Sequence, residues 1–248
     1  MTVVTGHQPA YLPWLGLIHK ASLADVFVYM DDVQYLERDW NNRNKVKTPQ
    51  GGEKWLTVPV DLKASPSRML KDIVVSAQRE MPEAKRWQAV HWQTLKSVYG
   101  GCRHFKEYAP FFEHHYLGRT WESLSELDLA ILRQAFAWFG VSARVEVASL
   151  NGFTQKKSDL VLEHAERFHA DVVVTGTFGK DYVKLEDFSA RGIKVVFQEY
   201  KHPIYEQRFG AFAPYLSFVD LLFQHGSDSR RICLEGNLTR EELCAARS

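Results

Sequence analysis

The chain has 248 residues, 45% of them hydrophobic, and a formal net charge of +1 at pH 7. This length and apolar content are sufficient for a full core, whereas the near-neutral charge argues against a broad electrostatic surface for nucleic acid or acidic lipid. The three cysteines have no paired spacing, so we expect neither a disulfide framework nor a tightly bound structural metal. The N-terminus has no charged segment before an apolar run, and no run of about 18 apolar residues follows. We therefore expect a cytoplasmic protein without a signal peptide or membrane contact.

Strand and helix patterns alternate near the N-terminus. Val3-Val4 and the apolar run at 25–30 predict two strands, and apolar residues at helical spacing over 14–21 predict a helix between them. Residues 55–60 and 73–75 predict two further extended segments. The first of these contains a proline, which favours the edge or the end of a strand.

The second half of the chain returns to the same alternation. Apolar patterns predict three strands, at 144–148, 171–175 and 193–197. They also predict two helices, at 158–168 and 216–223. Strands that alternate with helices are typical of a parallel sheet covered on both faces.

A helical region separates the two α/β regions, because apolar residues recur there with a period of about 3.6 residues. The sequence therefore predicts one α/β domain with a three-layer, Rossmann-like architecture and a mostly parallel sheet. We expect its core to comprise residues 1–80 and 141–226, with a helical insertion over 81–140 and a charged, loosely held tail over 227–248.

Several chemically versatile side chains occupy the turn after the first predicted strand. His7, Gln8, Tyr11 and Trp14 lie within the segment 5–14, which also contains two prolines. Strand ends of open α/β sheets are where ligands bind, so this turn is our first candidate site. The alternative is structural: the prolines end the strand and the aromatic rings cover the core.

The next candidates follow the second predicted strand. Asp31-Asp32 comes directly after the apolar run, and Gln34 is close behind. Because neighbouring strand residues point to opposite faces, one of these carboxylates can act as a base or hold a metal while the other caps or pairs with Arg43, and either of the two can face the site. Asp32 is our catalytic candidate. An Asp-rich turn with local hydrogen bonds is an equal alternative.

The polar segment 38–44, predicted to be a loop, combines stacking and hydrogen-bonding groups. Trp40 suits a flat ring or the apolar face of a sugar, and Arg43 suits a carboxylate or phosphate. Asn42 and Asn44 add amide donors and acceptors beside them. We expect this segment to contact the substrate.

Anion-binding candidates occur in two later strand-to-helix connections. Gly176 and Lys180 follow the most apolar predicted strand, with Tyr182 nearby. Lys157 lies near a predicted helix start, where a cation is unfavourable unless an anion is bound. Neither segment matches a known phosphate-binding loop, and solvated lysines are the alternative.

A second histidine segment, 200–207, has chemistry that matches the opening turn. His202, Tyr205 and Gln207 again follow a predicted strand, and the two segments can converge on one cleft. Asp220 lies on the apolar side of the last predicted helix and needs a partner there. We weigh a helix cap or structural ion pair above a direct role in the site for Asp220.

Taken together, these segments resemble the WbqC-like protein family over residues 3–226. Six separated blocks carry the resemblance, at 6–16, 24–28, 32–34, 42–44, 55–59 and 202–223. One departure is Gln224-His225, where an Asn is expected after the preceding Phe. The resemblance implies a cytoplasmic step in making bacterial O-antigen or other surface polysaccharide, with an activated sugar as substrate.

Three functions remain open at this point. The leading hypothesis is a transferase that moves an acyl or aminoacyl group onto a nucleotide-linked amino sugar, with His7 as general base or oxyanion partner and Asp32 and His202 as further catalytic residues. The second, drawn from a weaker likeness of Gly6-His7 to nucleotidylyltransferases, is nucleotidyl transfer from ATP or CTP with magnesium. The third is a noncatalytic protein that binds a sugar nucleotide.

Overall fold

The computed structural model describes residues 1–245 of the chain. Nine strands are assigned there, β1 (Val3–His7), β2 (Val26–Tyr29), β3 (Arg43–Lys47), β4 (Glu53–Thr57), β5 (Val60–Asp61), β6 (Val74–Val75), β7 (Arg144–Val147), β8 (Val172–Gly176) and β9 (Lys194–Gln198). The α-helices in the same residues are α1 (Leu15–Ser22), α2 (Trp87–Tyr99), α3 (Phe105–Leu117), α4 (Leu124–Trp138), α5 (Lys157–Arg167), α6 (Leu185–Ser189), α7 (Phe218–His225), α8 (Ser229–Leu234) and α9 (Arg240–Ala245).

A five-stranded sheet forms the centre of the fold, in the order β7-β2-β1-β8-β9. Each of its four strand pairings is parallel. The strands are short and rich in valine, as expected when helices cover both faces of a sheet. The predicted mixed α/β class with a mostly parallel sheet is therefore confirmed.

Helices lie on both faces of this sheet. Alternate strand residues point to opposite sides, so Val4 and Val28 pack with Leu162 of α5 and Phe188 of α6 on one face. On the other face, apolar side chains of the sheet pack against α1, α4 and α9 through a cluster that includes Val3, Leu17, Phe27, Phe136 and Leu243.

A second core lies beyond α1 and α4. Helices α2, α3 and α7 enclose it with the antiparallel pairs β3–β4 and β5–β6. Buried residues from each of these elements meet there, among them Leu15, Val46, Leu95, Phe112 and Leu222. Helices α2, α3 and α4 occupy the segment in which the sequence predicts helices. Of these, α4 connects the sheet to the second core, because its residues belong to both clusters.

The polar segment before residue 47 differs from the sequence prediction. The predicted loop over 38–44 ends at residue 42, because Arg43 and Asn44 already belong to β3, which pairs with β4 with Arg43 opposite Thr57. Asn44 and Lys47 are fully buried within β3. Their polar atoms are satisfied by hydrogen bonds to Leu12 and Gln207, respectively. Residues with a composition typical of a loop therefore form a strand, because residues distant in the sequence accept hydrogen bonds from their buried polar groups.

The C-terminal segment also differs from its prediction. Within the described residues it is packed rather than loose, because α8 and α9 bury Cys233 and Leu243. Arg240 bonds both carboxylate oxygens of Asp25, at 2.7 and 2.8 Å. Each of these short helices buries one apolar residue among charged neighbours. A single apolar residue is too weak a sequence pattern to predict a packed helix. The predicted tail extends to residues 246–248, which lie outside the described part of the chain.

No helix in residues 1–245 is both long and apolar enough to cross a membrane.

Candidate functional site

The strand order reverses between β1 and β8. Strands β2 and β7 lie on one side of β1, and β8 and β9 lie on the other. The pairing of β1 with β8 ends with Thr5 opposite Val174. Beyond that point β1 pairs with β2 as far as His7, and β8 pairs with β9 as far as Gly176. The carboxyl ends of β1 and β8 therefore separate. We call the space between them the β1–β8 crevice.

His7 ends β1 at this crevice and is half-buried. Its Nδ1 lies 2.7 Å from the Gln8 carbonyl oxygen, so Nδ1 carries the proton and donates it. Within residues 1–245, no hydrogen-bond partner is found for Nε2, which is left as an acceptor. Burial, helped by the nearby charge of Lys20, lowers the pKa of His7 to about 3. The imidazole is therefore neutral at physiological pH.

Three tryptophans continue outward from His7. The Trp14 ring meets the His7 ring edge-on at 5.2 Å, and Trp40 lies 5.7 Å from Trp14. Trp55 follows at 5.2 Å from Trp40, and 42% of it is exposed. The Arg43 guanidinium lies 4.4 Å from the centre of the Trp55 ring. This tryptophan strip (Trp14, Trp40 and Trp55) suits flat rings, with a cation at its outer end.

Buried asparagines fix the two loops that carry Trp14 and Trp40, the inner part of the strip. Asn41 donates to the Pro9 carbonyl at 2.8 Å, and Asn44 donates to the Leu12 carbonyl at 2.6 Å. The predicted site residue Asn42 donates to the Val58 carbonyl at 2.8 Å. Asn42 and Asn44 thus hold backbone through their amides. Gln8 is half-buried and lies 3.5 Å from Asn41.

Tyr11 points into the second core, away from the strip. It is fully buried, and its hydroxyl bonds to His91 at 2.8 Å and to the Tyr116 hydroxyl. Burial raises the pKa of Tyr11 well above its usual value. Of the two rings in the opening turn, the structure therefore places Trp14 beside His7 and Tyr11 among the core residues.

The two aspartates after β2 have different surroundings. Asp31 accepts hydrogen bonds from the amide and hydroxyl of Ser149 at 2.9 and 2.8 Å. Asp32 is half-buried, and its Oδ1 has no hydrogen-bond partner within the described residues. Burial raises the pKa of Asp32. Asp32 is thus the carboxylate with free bonding capacity, while Gln34 is exposed nearby.

The predicted anion-binding lysines lie at the surface. Lys180 forms an ion pair of 2.7 Å with Glu199, and Lys157 is exposed at the start of α5. Gly176 borders the β1–β8 crevice, and a Cβ atom added to it would meet nothing within 4 Å. Tyr182 is partly exposed and lines a cavity of about 30 Å³ on the α5 side of the sheet.

The second histidine segment lies after β9. His202 Nδ1 is 2.8 Å from the Pro203 carbonyl oxygen, and its Nε2 accepts the Tyr215 amide at 3.1 Å. Burial lowers its pKa. Gln207 closes a loop through both the amide and the carbonyl of Ala213. No contact between His202 and His7 is found in residues 1–245, and a catalytic role for His202 stays a prediction.

Asp220 of α7 is fully buried and well satisfied. Its carboxylate accepts the hydroxyls of Tyr99 and Tyr205, each at 3.0 Å, and the Gln224 amide at 3.2 Å. Burial raises its pKa even so. Gln224, the residue that departs from the family pattern, thus contacts Asp220 directly. This network ties α7 to α2 and to the His202 segment.

Sequence reasoning missed two residues of this site, Lys20 beside His7 and Trp55 at the outer end of the tryptophan strip. Lys20 of α1 is 4% exposed and donates to the Gly6 carbonyl at 2.9 Å. Burial lowers its pKa to about 8. The sequence signal for Lys20 is its position three residues after Leu17, which places a charged residue on the apolar face of the helix. The sequence predicts Trp55 only as part of an extended segment, because no local pattern indicates its contact with Trp40.

Comparison with known protein families shows where the chain belongs. The model of the WbqC-like protein family matches residues 8–232. The chain belongs to the WbqC-like protein family. The predicted resemblance is therefore confirmed. A curated relative, the uncharacterized protein Rv1507c of Mycobacterium tuberculosis, is 30% identical over 223 residues, which cover 90% of this chain and 93% of the relative. No solved structure matches the chain.

Proposed function

We propose that this WbqC-like protein is a cytoplasmic transferase of bacterial surface-polysaccharide biosynthesis, which moves an acyl or aminoacyl group onto the amino group of a nucleotide-linked sugar. The observation that carries the proposal is the placement of His7. Its acceptor nitrogen Nε2 is unpaired within the described residues, and its ring touches the first member of the tryptophan strip. An acceptor beside a stacking surface suits a sugar nucleotide that presents an amine.

The tautomer of His7 defines its part in the reaction. Because Nδ1–H is held by the Gln8 carbonyl, Nε2 accepts a hydrogen bond from the attacking amine and orients the amine lone pair towards the carbonyl carbon of an acyl thioester. As the C–N bond forms, the C–S bond breaks, and the amine proton leaves with the departing thiolate as a thiol. The pKa of about 3 makes His7 a weaker base than an ordinary imidazole. We therefore assign it to orient the amine as a hydrogen-bond acceptor, rather than to act as the general base that the sequence suggested.

The tryptophan strip would bind the rest of the substrate. Indole faces stack well on nucleobases and on the apolar faces of sugars, and Trp55 leaves its ring partly open to solvent. Arg43 beside Trp55 adds a positive charge at that end. The reversal in strand order between β1 and β8 supports the same location, because ligands of doubly wound sheets bind at such points.

A transfer assay tests this proposal. UDP- and dTDP-linked amino sugars are incubated with acyl and aminoacyl thioesters, and the mass of the sugar nucleotide is followed. We expect wild-type protein to add one acyl or aminoacyl group to at least one acceptor, and His7→Ala to lose this activity with its Tm preserved. Undiminished turnover by His7→Ala would contradict the assigned role.

Nucleotidyl transfer remains a second candidate because of Asp32. Its Oδ1 has free bonding capacity, and magnesium is commonly held by one or two carboxylates together with nucleotide phosphates. The candidate predicts that ATP or CTP raises the Tm only when Mg²⁺ is present, and that pyrophosphate is released. Asp32→Asn would remove both effects. A sugar nucleotide that binds without any product would instead indicate a noncatalytic binding protein.

A further inference from the structure

The β1–β8 crevice contains a buried cation. The His7 carbonyl accepts the Met30 amide at 2.9 Å on the β2 side. Successive carbonyls of a strand point to opposite sides, so the Gly6 carbonyl points towards β8. Beyond Thr5, β8 no longer pairs with β1, and Lys20 Nζ donates to the Gly6 oxygen at 2.9 Å instead. The ammonium group of Lys20 therefore lies where the two strands separate.

Lys20 has unused bonding capacity in this position. An ammonium group has three N–H donors, and one hydrogen bond is found for Lys20 within residues 1–245. No carboxylate in that part of the chain forms an ion pair with it. A buried charge without a partner is costly. The pKa of about 8 nevertheless leaves Lys20 mostly protonated at pH 7.

The wall opposite Lys20 is open. Val172 and Val174 of β8 pack on the α1 side of the sheet, so Gly176 is on that side as well because side chains alternate along a strand. A Cβ atom at Gly176 would meet nothing within 4 Å. By the same alternation from Val3, His7 is on this side, and the charge of Lys20 contributes to lowering the pKa of His7.

We propose that the β1–β8 crevice binds an oxyanion of the substrate, a phosphoryl or carboxylate group, with Lys20 as its countercharge and Gly176 providing the room. Such a group would accept the free N–H donors of Lys20 as charge-assisted hydrogen bonds. It would also bring the attached part of the substrate next to His7. Only the identity of the ligand rests on the proposed function, since the crevice and its cation do not depend on any reaction.

Anion binding to the full chain tests this inference. Thermal unfolding is followed at pH 7 and constant ionic strength while chloride is replaced by inorganic phosphate or by acetate. We expect a saturable rise in the Tm with at least one of these anions, and the more effective one tells a phosphoryl site from a carboxylate site. A wild-type protein that responds to neither would overturn the inference.

Two variants alter the crevice from opposite walls. Lys20→Met removes the charge and keeps an unbranched apolar chain, and we expect it to weaken anion binding at least about tenfold. Gly176→Val fills open space at an extended backbone position, so we expect the same loss at an unchanged Tm. If Lys20→Met does not fold, Gly176→Val still decides the matter. Binding within twofold of wild type in both variants would overturn the inference.

Lys47→Met is the matched control, because it also removes a buried lysine. Lys47 donates to Gln207 at 2.9 Å and to the Ala211 carbonyl, away from the crevice. We expect this variant to have a lower Tm and wild-type anion affinity. A failed transfer assay alongside anion binding that depends on Lys20 would therefore reject only the proposed function.

Discussion

The segments that follow β1 and β9 contain similar chemistry, yet they differ in what their histidines leave free. Both imidazoles donate Nδ1–H to the carbonyl of the next residue, His7 to Gln8 and His202 to Pro203. In His202 the second nitrogen already accepts the Tyr215 amide. In His7, within the described residues, it accepts nothing. The two segments therefore share a motif, but of the two histidines only His7 has an acceptor nitrogen left for a ligand within the described residues.

Their surroundings reinforce this difference. Aromatic rings, including those of Tyr205, Phe212 and Tyr215, surround His202, and the segment is joined to the buried Asp220 through Tyr205. His7 instead lies between a crevice with a buried lysine and a strip of tryptophans that reaches solvent. These surroundings favour a structural role for the second segment and support the functional role proposed for the first.

The largest expected effect separates the two histidines by activity. His7→Ala should reduce the rate of transfer about a hundredfold or more, because loss of the hydrogen bond that orients the attacking amine costs roughly that much. His202→Ala should retain most of the wild-type rate per folded molecule. The rates are measured on equal concentrations of folded protein. Equal losses in the two variants would remove the distinction between the segments.

Stability should separate them in the opposite direction. His202→Ala loses a hydrogen bond at each nitrogen and the packing of its ring, so we expect the free energy of unfolding to fall by about 1–3 kcal/mol. His7→Ala should change it by less at pH 7. Urea unfolding measures both values. A His202→Ala protein as stable as wild type would argue against the structural role.

The pH dependence of the free energy of unfolding should show a smaller effect of His7, with a defined direction. The pKa of His7 is lowered from 6.5 to about 3 in the folded protein. The unfolded chain therefore binds the proton first, and stability is lost as the pH falls from 6.5 towards 3. His7→Ala removes this contribution, so its stability relative to wild type should improve by about 1 kcal/mol at pH 4, allowing for partial exposure. His91 and His164, whose pKa values are also lowered, are unchanged in this comparison. A constant difference between pH 7 and 4 would contradict the shift.

The smallest effect concerns the outer end of the tryptophan strip. Trp55→Ala should weaken the binding of a sugar nucleotide about fivefold, since stacking on a partly exposed ring contributes on the order of 1 kcal/mol. Trp92→Ala, which removes a buried indole from the second core, should instead lower the Tm. Calorimetric titration measures the affinity. An unchanged affinity for Trp55→Ala would exclude Trp55 from the binding surface.

The sequence predicted that His7 lies at the end of the first strand, but it did not predict which residues surround His7. The valine pair before it identifies β1, and a parallel sheet places the end of β1 beside the ends of its neighbours. The opening turn has no regular period, however, so nothing in it tells that Tyr11 turns inward while Trp14 faces His7. Lys20 and β3 depend on partners far along the chain, such as Gly6 for Lys20 and Leu12 for Asn44. Local patterns do not contain these contacts.

The ¹⁵N NMR spectrum of the imidazole rings tests the central claim most directly. Spectra are recorded from pH 4 to 8, with and without a nucleotide-linked amino sugar, and are assigned with His7→Ala and His202→Ala. We predict that His7 is protonated at Nδ1 alone over this range and that its Nε2 resonance moves when the sugar nucleotide is added, while His202 is unaffected. A His7 that titrates near pH 6.5, or a response confined to His202, would contradict the account.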